Sequence, residues 1–372
     1  MKKVLIISHE SSRTGAPVLL LNLSFLLIEN NCEIDYLLKN DGELVPEFQK
    51  IGNTTILNKK SKNLIQKIYH KLSASVLRIK LSGSIHKYNF IISNTLLNHD
   101  LDDLLKKNKN VYTYAHELES VLSYYTNNDN IKKVIHHTHS FLYPANCVKD
   151  LLINKFGIAN SNFIYLPYYI PDHIHFRKDY NLEMRQKLGY SNSDIIVGGM
   201  GALSQRKGID LFIETAQIVK SKNKNVHFLW CGGDSDSNEW KDIHELIKKQ
   251  DLEDMVKIVP NTSVPSKYMA MYDIFFLSSR EDPMPLVGIE AAMMKVPVLF
   301  FTNTGGMDEF LGEDAGILVQ LGKTSECADK IIVIAEGHMD TFPVIENARN
   351  KYLSRHSKIV VSGIIRQIFN LN

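Results

Sequence analysis

The sequence predicts an α/β protein made of two domains, and three observations carry that reading. Short apolar runs that read as strands, such as Val4 to Ile7, Ile195 to Val197 and Ile274 to Leu277, alternate with stretches of helical spacing. Several of these runs lead through glycine-containing loops into helices, at Gly15 and again at Gly201 to Gly208. At 372 residues the chain is too long for one ordinary domain and suits two.

Composition narrows the function classes. A net charge of +2 gives no overall attraction to nucleic acid. The four cysteines, Cys32, Cys147, Cys231 and Cys327, are scattered without metal-ligand spacing, which fits a reducing cytoplasm. The start, MKKVLIISHE, has too short an apolar run for a secretory signal and reads as a first strand. No apolar stretch reaches the length needed to span a bilayer.

In the first half, Val4 to Ile7 is a buried strand. It leads through Gly15 into a helix containing Pro17, where glycine permits a tight turn and proline suits the first helical turn. Glu33 to Leu38 is a second strand. Between Gln49 and His99 there are nine lysines and arginines and no acidic residue, with Leu64, Ile65, Ile68, Leu72, Val76 and Ile79 at helical spacing. Such a helix either packs its apolar face in the core or lies on an anionic membrane, and the core is the favoured reading. Phe90 to Ser93 and Val111 to Tyr114 are strands, and His116 follows the second at the end where ligands bind in open sheets. The stretch VIHHTHSF reads as a strand with His137 and His139 on one face. No carboxylate lies close by in sequence, so the expectation is a histidine reaching an acceptor rather than a metal site. Phe163 to Leu166 is the last strand of this half, and Asp172 to Asn192 reads as a linker.

The second half opens with Ile195 to Val197 and GGMGALSQRKG. A dinucleotide fingerprint fails here because Ser204 stands where its third glycine belongs. Arg206 and Lys207 sit beside the glycine-bearing loop, where a fork-shaped and a point cation suit a diphosphate. The triplet Asp234-Ser235-Asp236 reads as a turn rather than a metal site.

The most informative stretch is Leu277 to Leu299. A strand runs into Ser278–Arg280, then Asp282, Pro283 and Pro285, then an apolar helix through Leu286, Val287, Ile289 and Ala291–Met293 that ends before Pro297. The first amides of that helix, on Leu286 and Val287, have no partner within it and attract phosphate. Asp282 and Glu290 bracket them and can accept hydrogen bonds from sugar hydroxyls. The combination fits a phosphorylated sugar better than a metal or a hydride carrier.

The spacing Asp282-x7-Glu290, followed by Ala291-Ala292-Met293, resembles the acidic-x7-Glu motif of the retaining glycosyltransferases of family 4. Gly201, Leu203, Lys207 and Gly208 are similar to that family's Gly-Arg-Leu-x-x-x-Lys-Gly loop, with Ala202 in the arginine's place. Gly305, Gly306 and Glu309 match its Gly-Gly-x-x-Glu turn. Pro283 and Pro285 replace glycines of the usual form, and Glu281 remains a rival to Asp282 for the first acidic place.

The resemblance implies a GT-B fold, two Rossmann-like lobes with parallel sheets facing a cleft. The lobes would comprise residues 1–175 and 176–352, with a final helix in 353–372 crossing back to the first. It implies transfer of a hexose-type sugar from a nucleotide diphosphate donor to a saccharide or lipid-linked acceptor, with retention and with no metal or other cofactor. Arg206, Lys207, Asp282, Glu290 and His116 would act at the reacting sugar and diphosphate. Gly15, Pro285, Leu286, Val287, Asn261, Gly305, Gly306 and Glu309 would line the donor. The setting it implies is bacterial surface polysaccharide synthesis in the cytoplasm, with peripheral contact between the 59–80 segment and an anionic membrane. A nucleotide-sugar 2-epimerase and a non-catalytic sugar-binding relative share the architecture and are the alternatives.

Overall fold

A computed structural model describes residues 1–59, 63–171, 178–222 and 225–371. The chain divides into two compact units, Met1–Pro171 with His356–Asn372, and Asp172–Arg355.

The first unit is a parallel sheet in the order β3-β2-β1-β4-β5-β6-β7. Its strands are β1 (Lys2–Ser8), β2 (Cys32–Asn40), β3 (Asn53–Asn58), β4 (Phe90–Ser93), β5 (Val111–Tyr114), β6 (Ser140–Tyr143) and β7 (Phe163–Tyr165). The central β1 carries Val4, Leu5, Ile6 and Ile7, all buried, as a strand covered on both faces requires. The last helix, Lys358–Phe369, is part of this unit. Phe369 stacks on Phe90 at 4.2 Å, and Lys358 pairs with Glu29 at 2.7 Å.

The second unit is a parallel sheet in the order β10-β9-β8-β11-β12-β13. Its strands are β8 (Ile195–Met200), β9 (Val226–Cys231), β10 (Val256–Val259), β11 (Ile274–Leu277), β12 (Val298–Thr302) and β13 (Ile317–Gln320). In chain order this is the 3-2-1-4-5-6 Rossmann arrangement, whose direction reverses between β8 and β11. Gly198 and Gly199 let β8 run flat beneath two rings. A Cβ would lie 2.1 Å from the Tyr272 ring at Gly198 and 2.3 Å from the Trp230 ring at Gly199.

Three local expectations are corrected. His136 and His137 end a helix, Asn128–His137, instead of lying in a strand; Asn127 caps that helix by accepting the Asn130 amide. The polar stretch read as linker contains the helix Lys178–Leu188. Its Arg185 reaches back to Asp273 at 2.6 Å and to the Met271 carbonyl at 3.0 Å. Gly15 is the first residue of the helix Gly15–Glu29 and is not among the residues with positive φ, so no tight turn demands glycine there.

Of the basic segment, Lys60 and Lys62 and the side chains of Leu64, Ile65, Lys67, Ile68 and Lys71 lie outside the described residues, as does 172–177 of the expected linker. Among the described residues no helix is long and apolar enough to cross a membrane.

Candidate active site

The second unit gathers its candidate residues at the carboxyl ends of β8, β11 and β12, beside the point where strand order reverses. The loop after β8 folds tightly. Ser204 caps a single turn, Gln205–Lys207, and Gly208 follows with φ +71°. A Cβ on Gly208 would stand 1.9 Å from the Ser278 carbonyl, so only glycine lets this loop lie against the end of β11. The Ser278 hydroxyl donates to the Lys207 carbonyl at 3.1 Å, and the Arg280 amide donates to the Arg206 carbonyl at 2.8 Å.

These contacts bring both cations to the acidic stretch. Lys207 donates from Nζ to Asp282 Oδ2. Arg206 donates from Nη1 to the Glu281 carbonyl at 2.8 Å and stands 4.0 Å from Asp282 Oδ2. Asp282 thus faces the cation pair, with only 7% of its surface exposed.

The Asp282 backbone is pinned as firmly as its side chain. Its amide donates to the Thr304 carbonyl at 2.8 Å, and it forms a one-residue parallel bridge with Gly305. Gly305, at φ +150°, packs so closely that a Cβ would lie 1.6 Å from the Asp282 carbonyl oxygen. The Gly306 amide donates to that same oxygen at 3.4 Å, so it is engaged here rather than open to an anion. Glu309 lies in the short helix Met307–Phe310, and its carbonyl accepts from Arg355 at 2.7 Å.

The Leu286–Met293 helix begins four residues beyond Asp282, with Pro285 as its extended cap. Pro285 accepts from the amides of Gly288 and Ile289 at 3.0 and 3.3 Å. Among the described residues nothing accepts from the amides of Leu286 and Val287, both half-exposed. Glu290 is half-buried; its carbonyl accepts from the Met294 amide at 2.9 Å, but its carboxyl has no hydrogen-bond or ion-pair partner among the described residues, and the loss of hydration pushes that carboxyl up to about 7.

Asn261 is exposed. Its side-chain oxygen accepts from the Gly233 amide at 3.0 Å, and its own amide donates to the Gly233 carbonyl at 2.9 Å, which sets the loop after β9. The neighbouring Asp234 accepts from the Asp236 amide at 3.0 Å in a turn that leads into the helix Asn238–Lys249.

Sequence reading did not single out Arg280. Its guanidinium meets both Asp210 carboxyl oxygens at 2.6 and 2.7 Å and the Gln205 carbonyl at 2.7 Å. It staples the loop bearing Arg206 and Lys207 to the segment bearing Asp282, and it holds the Asp210 carboxyl below the usual range against the pull of burial. Asp210 lies three residues after Lys207, but nothing in that spacing signals a partner 70 residues away.

In the first unit, His116 follows β5 and both ring nitrogens are engaged. Asn94 donates from Nδ2 to the Ala16 carbonyl at 2.8 Å, which turns its Oδ1 toward His116 Nε2, also at 2.8 Å. Nε2 therefore carries the proton, and Nδ1 accepts from the Tyr168 hydroxyl at 2.9 Å. Burial, with His9 nearby, pushes the imidazole down to about 3. The ring thus has no nitrogen left for a sugar in this arrangement. Through Asn94 it is tied to the start of the Gly15–Glu29 helix. Glu10, in the loop before Gly15, is held down to about 2 by His9 and by the hydroxyls of Thr14 and Ser12. Of the histidines among which one was expected to reach an acceptor, His137 is buried with Nδ1 3.0 Å from Asp102.

Two Rossmann-ordered parallel sheets, with a cation–carboxylate cluster ahead of a helix start in the second, define the class of fold, and comparison with known proteins gives the family. The family model for glycosyl transferases group 1 matches residues 181–351, and that for glycosyl-transferase family 4 matches residues 1–74. The chain belongs to the family 4, group 1 glycosyltransferases with the GT-B fold. It is 22% identical over 229 residues to the capsular polysaccharide biosynthesis glycosyltransferase CapM of Staphylococcus aureus, covering 62% of this chain and 58% of that one. It is 25% identical to a poly(ribitol-phosphate) alpha-N-acetylglucosaminyltransferase of Staphylococcus aureus, covering 59% of this chain and 41% of that one. The matches thus span about half the length of these relatives. Among solved structures, Anabaena Alr3699/HepE in complex with UDP and glucose aligns over 100% of both chains with a TM-score of 0.84 at 17% identity. TarM aligns over 100% of this chain and 99% of its own with a TM-score of 0.75 at 15% identity.

Proposed function

We propose that this chain transfers a hexose-type sugar from a nucleotide diphosphate donor to a saccharide or lipid-linked acceptor, with retention at the anomeric carbon. The observation that carries the reading is the convergence of Lys207, Arg206 and Asp282 just ahead of the two unpaired amides of Leu286 and Val287. A diphosphate at that helix start would draw Lys207 from Asp282, and the carboxylate, once released, would accept hydroxyls of the donor sugar. Charge building on the departing diphosphate would be met by fixed cations and amides that need little reorganisation. In this reading those groups, rather than a metal ion, answer the charge. Glu290 would hold the ribose hydroxyls, and Asn261 would set the loop near the base.

His116 takes a positioning role, because a direct sugar contact would require breaking one of its two hydrogen bonds. The HepE structure named above contains UDP and glucose, which makes a uridine nucleotide the first donor to test. The relatives' capsular polysaccharide and poly(ribitol-phosphate) roles favour a bacterial surface polymer as acceptor, met at the inner face of the membrane.

The test incubates the chain with a panel of nucleotide sugars, with and without acceptor extracts, and follows nucleotide release. Acceptor-dependent release is expected, with Lys207→Ala lowering kcat on the order of 100-fold. Undiminished turnover in that variant would remove the proposed role. Donor conversion that needs no acceptor would favour the epimerase.

A further inference from the structure

In the first unit the helix Glu119–Tyr125 is separated from β5 by four residues. It buries only Leu122, and it leaves Tyr124 and Tyr125 81% and 65% exposed. The two rings meet edge to face, with centroids 4.7 Å apart and planes at 74°, and most of both stays in water. Tyrosine is commonly half-buried or more, so two adjacent rings left in water mark a surface that meets something.

The segment bearing the pair is firmly held. The buried Glu117 carboxylate accepts from the His116 amide at 2.9 Å, from the Leu96 amide at 3.3 Å and from the Thr95 hydroxyl. That ties the turn after β5 to the turn after β4. Leu122 joins the cluster of Ile131, Val134 and Leu152. The tyrosines thus stand on a fixed segment that leaves the carboxyl end of β5, the end that carries His116.

Ser123 and Thr126, on either side of the pair in the chain, line a cavity of about 70 Å³ floored by Leu122, Ile131 and Phe156. That is roughly the volume of two waters, enough for a hydroxyl or hydroxymethyl arm and too small for a sugar ring. The Thr126 hydroxyl is buried and has no hydrogen-bond partner among the described residues. A buried hydroxyl left in that state costs free energy until a partner meets it. Asn127, at the rim, spends its side-chain oxygen on the Asn130 amide, and its NH₂ group has no acceptor among the described residues. Lys155, the one charged residue of the lining, pairs with Glu119, so the cavity carries no unbalanced charge.

These features select an occupant. It is uncharged, it bears hydroxyls for Thr126 and Asn127, and it offers C–H faces to the tyrosine rings. A hexopyranose unit has all three properties, because its faces are C–H and its edges hydroxyl, and the electron-rich face of an aromatic ring attracts C–H groups. An apolar partner would leave the Thr126 hydroxyl unmet, and a charged one would find no opposite charge.

We propose that Tyr124, Tyr125 and the cavity holding Thr126 form a saccharide-binding platform, which grips neutral hexose units of the acceptor chain away from its reacting end. Its purpose rests on the transfer reading proposed above, and its binding does not.

The test is native affinity electrophoresis of the full chain through gels cast with amylopectin, dextran, galactomannan or glycol chitin, all uncharged polymers. Retardation relative to a polymer-free gel is expected in at least one. In that gel Y124A/Y125A should raise the apparent Kd about ten-fold or more, while Y124F/Y125F, which keeps both ring faces, should stay within about two-fold of the parent. Thr126→Val, which removes the hydroxyl at nearly constant shape, should raise it about three-fold. Thermal melting checks the fold of each variant. Retardation in none of the gels overturns the proposal, and so does an alanine or valine variant retarded like the parent. Light scattering that shows a dimer in the parent and a monomer in Y124A/Y125A also overturns it, since a second copy would then cover the rings. Absence of sugar transfer in the parent chain defeats the glycosyltransferase reading and leaves the gels to decide the platform alone.

Discussion

A carboxylate that accepts hydroxyl hydrogen bonds must be ionised, and burial opposes ionisation at Glu290. With its pKa raised to about 7, the free protein holds Glu290 largely protonated below that pH. Ribose hydroxyls donate best to the ionised form, so binding must deprotonate the residue and is penalised as pH falls. The donor KM should therefore rise as pH drops through about 7, approaching ten-fold per unit well below it, and Glu290→Gln should remove this inflection while raising KM throughout. The measurement is initial rate against donor concentration from pH 5.5 to 8.5; an inflection that persists in the variant contradicts the ribose role. His116 should contribute no inflection in this range, since its imidazole stays neutral down to about 3. The sequence shows Glu290 by its distance from Asp282, but not its missing partner, which depends on what the fold packs around it. It shows His116 at the end of β5, but not Tyr168 and Asn94, which come from distant segments and occupy both its nitrogens.

At the scale of elements, two glycines decide whether the loops after β8 and β12 can meet the segment after β11. Gly208→Ala combines a left-handed backbone with a clash against the Ser278 carbonyl, and it should destabilise the chain by about 2 kcal/mol or more, read as a lower thermal midpoint. Arg280 acts on the same assembly by a different route. Arg280→Lys keeps the charge but loses the two-pronged grip on Asp210, and kcat should fall several-fold more than donor KM rises, because Lys207 would stay near the diphosphate but out of register. A proportional loss of folded protein with unchanged kcat per active molecule would show a purely structural role.

The Leu286–Met293 helix was legible because its apolar run, preceding prolines and following proline mark both ends. β3 was not, because NTTILN is a partly exposed edge strand with few apolar residues. The His136–His137 helix end was misread because a short apolar run with histidines fits strand and helix alike, and the Asn127 cap that settles it lies nine residues upstream of His136.

At the scale of the molecule, alternation and length point to two α/β domains and the family resemblance to parallel sheets, but the order reversals at β1/β4 and β8/β11 depend on which distant strands pair and are not legible in the sequence. Each reversal is where its unit gathers polar groups, Asn94 and His116 in one and Lys207 and Asp282 in the other. The covalent outcome belongs to this scale. Proton NMR of the product formed from an α-linked donor should show an α-linkage from the first turnover, and a β-linkage would contradict retention.

The position of the bound diphosphate is tested most directly by a crystal structure with uridine diphosphate. The diphosphate is predicted within hydrogen-bond distance of the Leu286 and Val287 amides, with Lys207 Nζ moved from Asp282 onto a phosphate oxygen. Diphosphate density away from that helix start, with the Lys207–Asp282 pair intact, would contradict it.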